Sequence, residues 1–109
     1  MRVKKAELEA LVDEATVDAY GESEQAVGLF TLLEDHLALP FQTVVLGVEV
    51  TVERVNLTED EDIVAVCRRG RERQRVRVLD VPLPDPSPEG WKWIEAYRFW
   101  ALGWRDEGG

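Results

Sequence analysis

Cysteine and histidine are almost missing from this chain: in 109 residues Cys67 is the one thiol and His36 the one imidazole. A lone cysteine excludes an intrachain disulfide, and the pair cannot supply the four ligands of a usual structural zinc site. Long apolar runs are lacking too. Met1 to Lys5 is basic but leads straight into Glu7, Glu9, Asp13 and Glu14, so neither a secretory signal nor a membrane-spanning helix is expected. There is no glycine-rich phosphate loop, and no serine or threonine stands in a motif with a histidine base. The sequence therefore reads as a non-enzymatic, soluble, cytoplasmic protein forming one domain over residues 1–109, large enough to hold a core without cross-links.

Basic residues are scarce over the first part of the chain, where Arg54 is the only lysine or arginine between Ala6 and Val66. Acids accumulate there, and the net charge is -9. Then Arg68, Arg69, Arg71, Arg73, Arg75 and Arg77 arrive together, opposed locally by Glu72. Such asymmetry puts electrostatics at the centre of any partner choice. An acidic surface repels phosphates and anionic lipid, concentrates cations, and binds them specifically where oxygens converge.

The apolar pattern predicts an α+β fold. Val3, Leu8, Leu11 and Val12 mark a helix over Val3–Asp13. Ala26, Val27, Phe30, Leu33 and Leu37 mark a second, with Glu22 and Glu24 in its first turn and Pro40 ending it. Gly28 inside that helix costs about 1 kcal/mol relative to alanine, which points to close backbone contact or to simple tolerance. From Phe41 the period becomes two. Strands are expected over Thr43–Leu46, Val48–Glu53, Ile63–Cys67 and Arg73–Leu79, with an acidic turn from Asn56 to Asp62. Four short strands with tight turns suggest a meander curled into a small, SH3-like antiparallel barrel. Prolines 82 to 88 separate it from a C-terminal helix, capped by Ser87 and Pro88 and running to Gly103, with Trp93, Tyr97, Trp100 and Trp104 on one face as a lid. A frayed tail is expected over 105–109.

Several constellations have plain structural explanations. His36 suits a helix C-terminus, and Cys67 suits a buried strand. Arg73, Arg75 and Arg77 share one strand face and could meet phosphates, but the acidic balance and the lack of interleaved aromatics favour pairing with Glu49, Glu53 or another acidic segment, so nucleic acid is not the expected partner. Two groups of carboxylates hold enough oxygen for a hard cation: Asp18, Glu22 and Glu24 with Glu34 and Asp35, and the run Glu59, Asp60, Glu61, Asp62. Neither follows the twelve-residue EF-hand loop, since the sixth position is Ser23 counted from Asp18 and Ala65 counted from Asp60.

The stretch Val17-Asp18-Ala19-Tyr20-Gly21-Glu22-Ser23-Glu24-Gln25-Ala26-Val27-Gly28, with Leu32-Leu33-Glu34-Asp35-His36-Leu37 and Leu39-Pro40-Phe41, resembles the CcbP-type bacterial calcium-binding proteins, first recognised in cyanobacteria. The resemblance is clear over residues 17 to 43 and thinner beyond. It implies a compact, acidic protein that binds calcium and buffers or sequesters it, with Asp18, Glu22, Glu24, Glu34 and Asp35 at the matching motif positions; the function expected of this chain is calcium binding as a buffer or sensor. The carboxylate run adds Asp60 and Asp62 as candidate ligands. The alternative is a metal-free protein-interaction module whose acidic helices and arginine strand meet a partner or a second copy.

Overall fold

The computed structural model describes residues 4–102. The expectations at Val3, Gly103, Trp104 and the tail fall outside them. Helix α1 spans Lys5–Ala15 and α2 spans Glu22–His36. Strands β1 (Phe41–Val45), β2 (Val48–Leu57), β3 (Ile63–Arg69) and β4 (Glu72–Arg77) follow, then a 3-10 turn over Val78–Asp80 and helix α3 over Trp91–Ala101.

The helices form for the reasons their spacing gives. Leu8, Leu11, Val12 and Ala15 make the inward stripe of α1, and Ala26, Leu29 and Leu33 that of α2. In α3, Trp93, Ile94, Ala96, Tyr97 and Trp100 are buried. The Tyr97 hydroxyl accepts the Ile63 N–H at 3.2 Å, and the Trp100 indole donates to the Gln25 Oε1 at 2.9 Å. Both large rings therefore bury area while keeping their polar ends paired. Helix α2 stops at His36, ahead of Pro40, and the His36 ring stacks on Trp93 with centroids 5.8 Å apart. Gly28 lies against the end of α1, where a Cβ would stand 2.1 Å from the Ala15 carbonyl oxygen. Of its two sequence explanations, close contact is the one realised.

The four strands form an antiparallel meander in the order β1-β2-β3-β4. The expected SH3-like barrel is not formed, because closure would require β1 and β4 to pair and they do not. The helices cover one face instead, so the sheet buries Val52, Val55, Ile63, Ala65 and Cys67 without curling shut. The register shifts between Val52 and Arg54. This bulge inserts Glu53 and lets Val52 and Val55, three apart, both point into the core.

Two other expectations are corrected. Strand β4 ends at Arg77 rather than Leu79, because the chain tightens to bury both Val78 and Val81. The Arg98 guanidinium then clasps the carbonyls of those two residues from α3. Helix α3 starts at Trp91 with Gly90, at φ 85, as its N-cap. Ser87 does not cap it, since its hydroxyl donates to the Pro84 carbonyl at 3.2 Å. Cys67 is buried as expected, and burial pushes its thiol pKa up.

Candidate functional site

The motif acids sit where α1 hands over to α2. The Thr16 hydroxyl donates to the Val12 carbonyl at 2.7 Å and Ala19 N–H to the Thr16 carbonyl at 3.0 Å, closing a turn after α1. Gly21, extended at φ -149, is the N-cap of α2. Glu22 and Glu24 then occupy the first turn, where unpaired N–H groups and the helix dipole favour negative charge. Glu24 reaches back so that its Oε1 accepts the Tyr20 N–H at 2.8 Å, the logic of a capping box displaced by one residue. Asp18, Ser23 and Glu24 line an open groove of about 510 Å³ with Val17 and Val27. Tyr20 and Val17 are exposed at 93% and 77%, so the acids are set among uncovered apolar side chains.

Glu34 and Asp35 do not join them. Ten residues separate Glu24 from Glu34 along α2, about 15 Å of helix axis. Calcium binds its oxygens at about 2.3–2.6 Å, so two ligands of one ion lie within about 5 Å of each other. The two halves of the sequence motif are therefore separate positions at opposite ends of one helix. At the C-terminal end, the Glu34 and Asp35 carboxylates face the negative pole of the dipole, a repulsion that a cation relieves.

The third position is the β2–β3 turn, shorter than the predicted Asn56–Asp62 because β2 continues to Leu57. Asp62 N–H donates to Thr58 Oγ1 at 3.1 Å and Thr58 N–H to the Asp62 carbonyl at 2.9 Å. Glu61 takes a left-handed φ of 67. Asp60 is exposed, whereas the Asp62 carboxylate lies 3.7 Å from the Arg77 guanidinium and is partly neutralised. Among the described residues, no three acidic, histidine or cysteine side chains converge closely enough to hold a metal.

Opposite the helices, the sheet carries its arginines. Cross-strand pairing places Arg54, Arg68, Arg73, Arg75 and Arg77 on one face. Val64 and Val66 lie among them and are nonetheless buried, at 7% and 5%, as expected where arginine stems lie over a sheet. Glu53 joins two of these arginines, accepting from Arg68 Nε at 2.7 Å and Arg73 Nε at 2.8 Å. The sequence expectation of pairing across the sheet is met for Arg73 by Glu53 and for Arg77 by Asp62, whereas Arg75 and Glu49 form no ion pair among the described residues.

The Arg73 and Arg68 guanidiniums hold the Glu53 carboxyl below its ordinary pKa of 4.5. A depressed carboxylate contributes stability that is complete above 4.5 and lost as pH falls through the folded-state value. Glu53→Gln is therefore expected to lower the melting temperature at pH 7, with the gap to wild type closing in strongly acidic buffer. Thermal unfolding of both proteins across that range checks it.

The family model for CcbP, described as calcium binding, matches residues 9–101. The chain belongs to the CcbP calcium-binding family. The match extends well past the acidic motif through the sheet and α3, and calcium is the ion of this family. The crystal structure of Anabaena CcbP superposes with a TM-score of 0.73 at 18% identity, covering 92% of this chain and 93% of that one. At that identity the likeness shows the CcbP fold, open sheet and helices together. No curated protein matches the sequence.

Sequence reasoning missed the residues that hold this CcbP fold in place. Thr43 is buried, and its hydroxyl donates to the Pro82 carbonyl at 2.5 Å. Lys92 reaches from α3 to Glu7 of α1 at 2.5 Å. No local pattern marks either, because their partners are remote in sequence.

Proposed function

We propose that this chain binds calcium at its acidic surface and acts as a buffer, with Asp18, Glu22 and Glu24 as the first site. The observation that carries this reading is the family match over residues 9–101, together with Glu22 and Glu24 in the first turn of α2 and Asp18 beside Glu24 on the same groove. Binding gathers the carboxylates: one oxygen of Glu24 stays on the Tyr20 N–H, and backbone carbonyls and water complete the six to eight oxygens calcium takes. Glu34 with Asp35, and Asp60 with Asp62, are separate and weaker positions. Sites that assemble as they bind pay an ordering cost, which suits a buffer of modest affinity.

A sensor is the second reading, and the exposed Val17, Tyr20 and Val27 around the first site favour it. An ion that reorders this turn also rearranges an apolar surface that a partner can read. In either role the protein acts in the cytoplasm and without catalysis. Among the described residues no helix is long and apolar enough to cross a membrane. The metal-free alternative, an interaction module, rests on the acidic helices and the arginine strand β4, whose Arg75 has no ion pair among the described residues. Nucleic acid remains the less fitting partner for a chain of net charge -9.

Calorimetric titration of chelator-stripped protein at physiological salt, with magnesium as control, tests the proposal. A saturable, calcium-preferring isotherm is expected, weakened at least ~10-fold, or about 1.4 kcal/mol, in the Asp18→Asn, Glu24→Gln double variant and left nearly intact by Glu34→Gln with Asp35→Asn. A flat or non-selective response of the wild type overturns it. Buffer and sensor then separate by whether amide signals beyond residues 16–25 shift with calcium.

A further inference from the structure

The end of the sheet remote from the helices is built differently from the rest. Strands β1 and β2 meet there through a two-residue turn, Leu46-Gly47, closed by the Val45–Val48 pair. Both turn residues have positive φ, 52 for Leu46 and 79 for Gly47, the geometry of a tight hairpin that favours Asn, Asp or Gly at both positions. Leucine is disfavoured in that backbone by its Cβ. Its side chain also gains no burial within the chain, since Leu46 is 96% exposed. Beside it the core emerges as a groove of about 190 Å³ floored by Val48, Val50, Cys67 and Val76. The rim carries Arg69 and Glu72, which face each other in register and form no ion pair among the described residues.

We infer that this end of the sheet is a self-association surface, in which Leu46 of one copy enters the Val48–Val50–Val76 groove of a second copy and the reverse. Knob and groove lie side by side on one end of the molecule, so a two-fold axis satisfies both at once and closes the assembly at a dimer. The same axis sets Arg69 of each copy opposite Glu72 of the other, a self-complementary pair of charges. Contact limited to one hairpin tip and one groove makes the dimer a reversible one, of the kind small interfaces give. The inference does not rest on calcium binding, because the hairpin tip and the acidic start of α2 belong to different elements.

Sedimentation velocity of the full chain from micromolar to millimolar concentration, with chelator and with calcium, reads it directly. The wild type is expected to rise toward a dimer as concentration increases. Leu46→Asn is expected to weaken association at least ~10-fold while melting no lower than wild type, since asparagine suits the turn. That combination separates a lost interface from a lost fold. A wild type that is monomeric at every concentration overturns the inference. So does a dimer that Leu46→Asn leaves unchanged, including one dispersed by Arg54→Glu with Arg75→Glu, which would place the interface on the arginine face.

Discussion

Replacing Gly90 with alanine is expected to destabilise the protein by about 4 kcal/mol. Two costs combine. The backbone at φ 85 is left-handed, which a non-glycine residue adopts at about 1–2 kcal/mol. The new Cβ would also stand 2.1 Å from the His36 oxygen, 2.4 Å from its carbonyl carbon and 2.7 Å from the Leu37 Cα. All three are backbone atoms and cannot rotate away, so the start of α3 must lift off the end of α2, at about 1–3 kcal/mol. The Ala38 N–H bond to the Glu89 carbonyl, 2.8 Å long, would be strained by the same movement. Urea unfolding gives the measurement, and Gly21→Ala is the control: its backbone is extended, and a Cβ added there would meet no atom within 4 Å. That control should cost less than about 1 kcal/mol. Equal midpoints for the two variants would show that α2 and α3 approach each other loosely enough to admit a methyl group.

Gly28→Ala is expected to lose about 2 kcal/mol, and its sign is the informative part. Helix propensity taken alone favours alanine inside a helix by about 1 kcal/mol. Packing opposes it, since the added Cβ would meet the Ala15 carbonyl oxygen at 2.1 Å and its carbon at 3.2 Å. A helix terminus cannot yield without moving the turn that follows, so overpacking of about 3 kcal/mol outweighs the propensity gain. The comparison is a denaturation midpoint for wild type and variant. A stabilised variant would sink the argument, because propensity would then be the only force acting at residue 28.

Much of this architecture is legible in the residues. Periods of three to four and of two separate helices from strands, and Gly70 with Gly47 mark hairpins where positive φ is needed. The sequence does not exclude a barrel, because alternation of apolar residues is the same in an open and a closed sheet; only pairing between β1 and β4 distinguishes them. The helix start at Ser87-Pro88 is a sound local signal overruled by a remote contact, the seating of Gly90 on His36. Strand β2 reads as shorter than it is because its apolar residues change phase, from Val48, Val50 and Val52 to Val55 and Leu57, and that change is how a bulge looks in sequence. The acidic motif is visible in order and composition. Its separation into two ends of α2 also lies in the sequence, in the ten residues from Glu24 to Glu34 at about 1.5 Å each.

The bulge at Glu53 has a further bearing on how such a chain can vary. It divides β2 into two stretches of opposite parity, one set by Val48 to Val52 and the other by Val55 and Leu57. The stretch that meets the helices keeps its inward residues whatever happens at the hairpin, and the hairpin keeps its own. Substitutions at the tip can therefore accumulate without disturbing the helix-facing half. Loss of the one extra residue would put both halves in a single frame and turn one set of valines outward. A deletion at this position should therefore disturb the sheet more than a substitution does, and the two ends of the sheet respond separately to change.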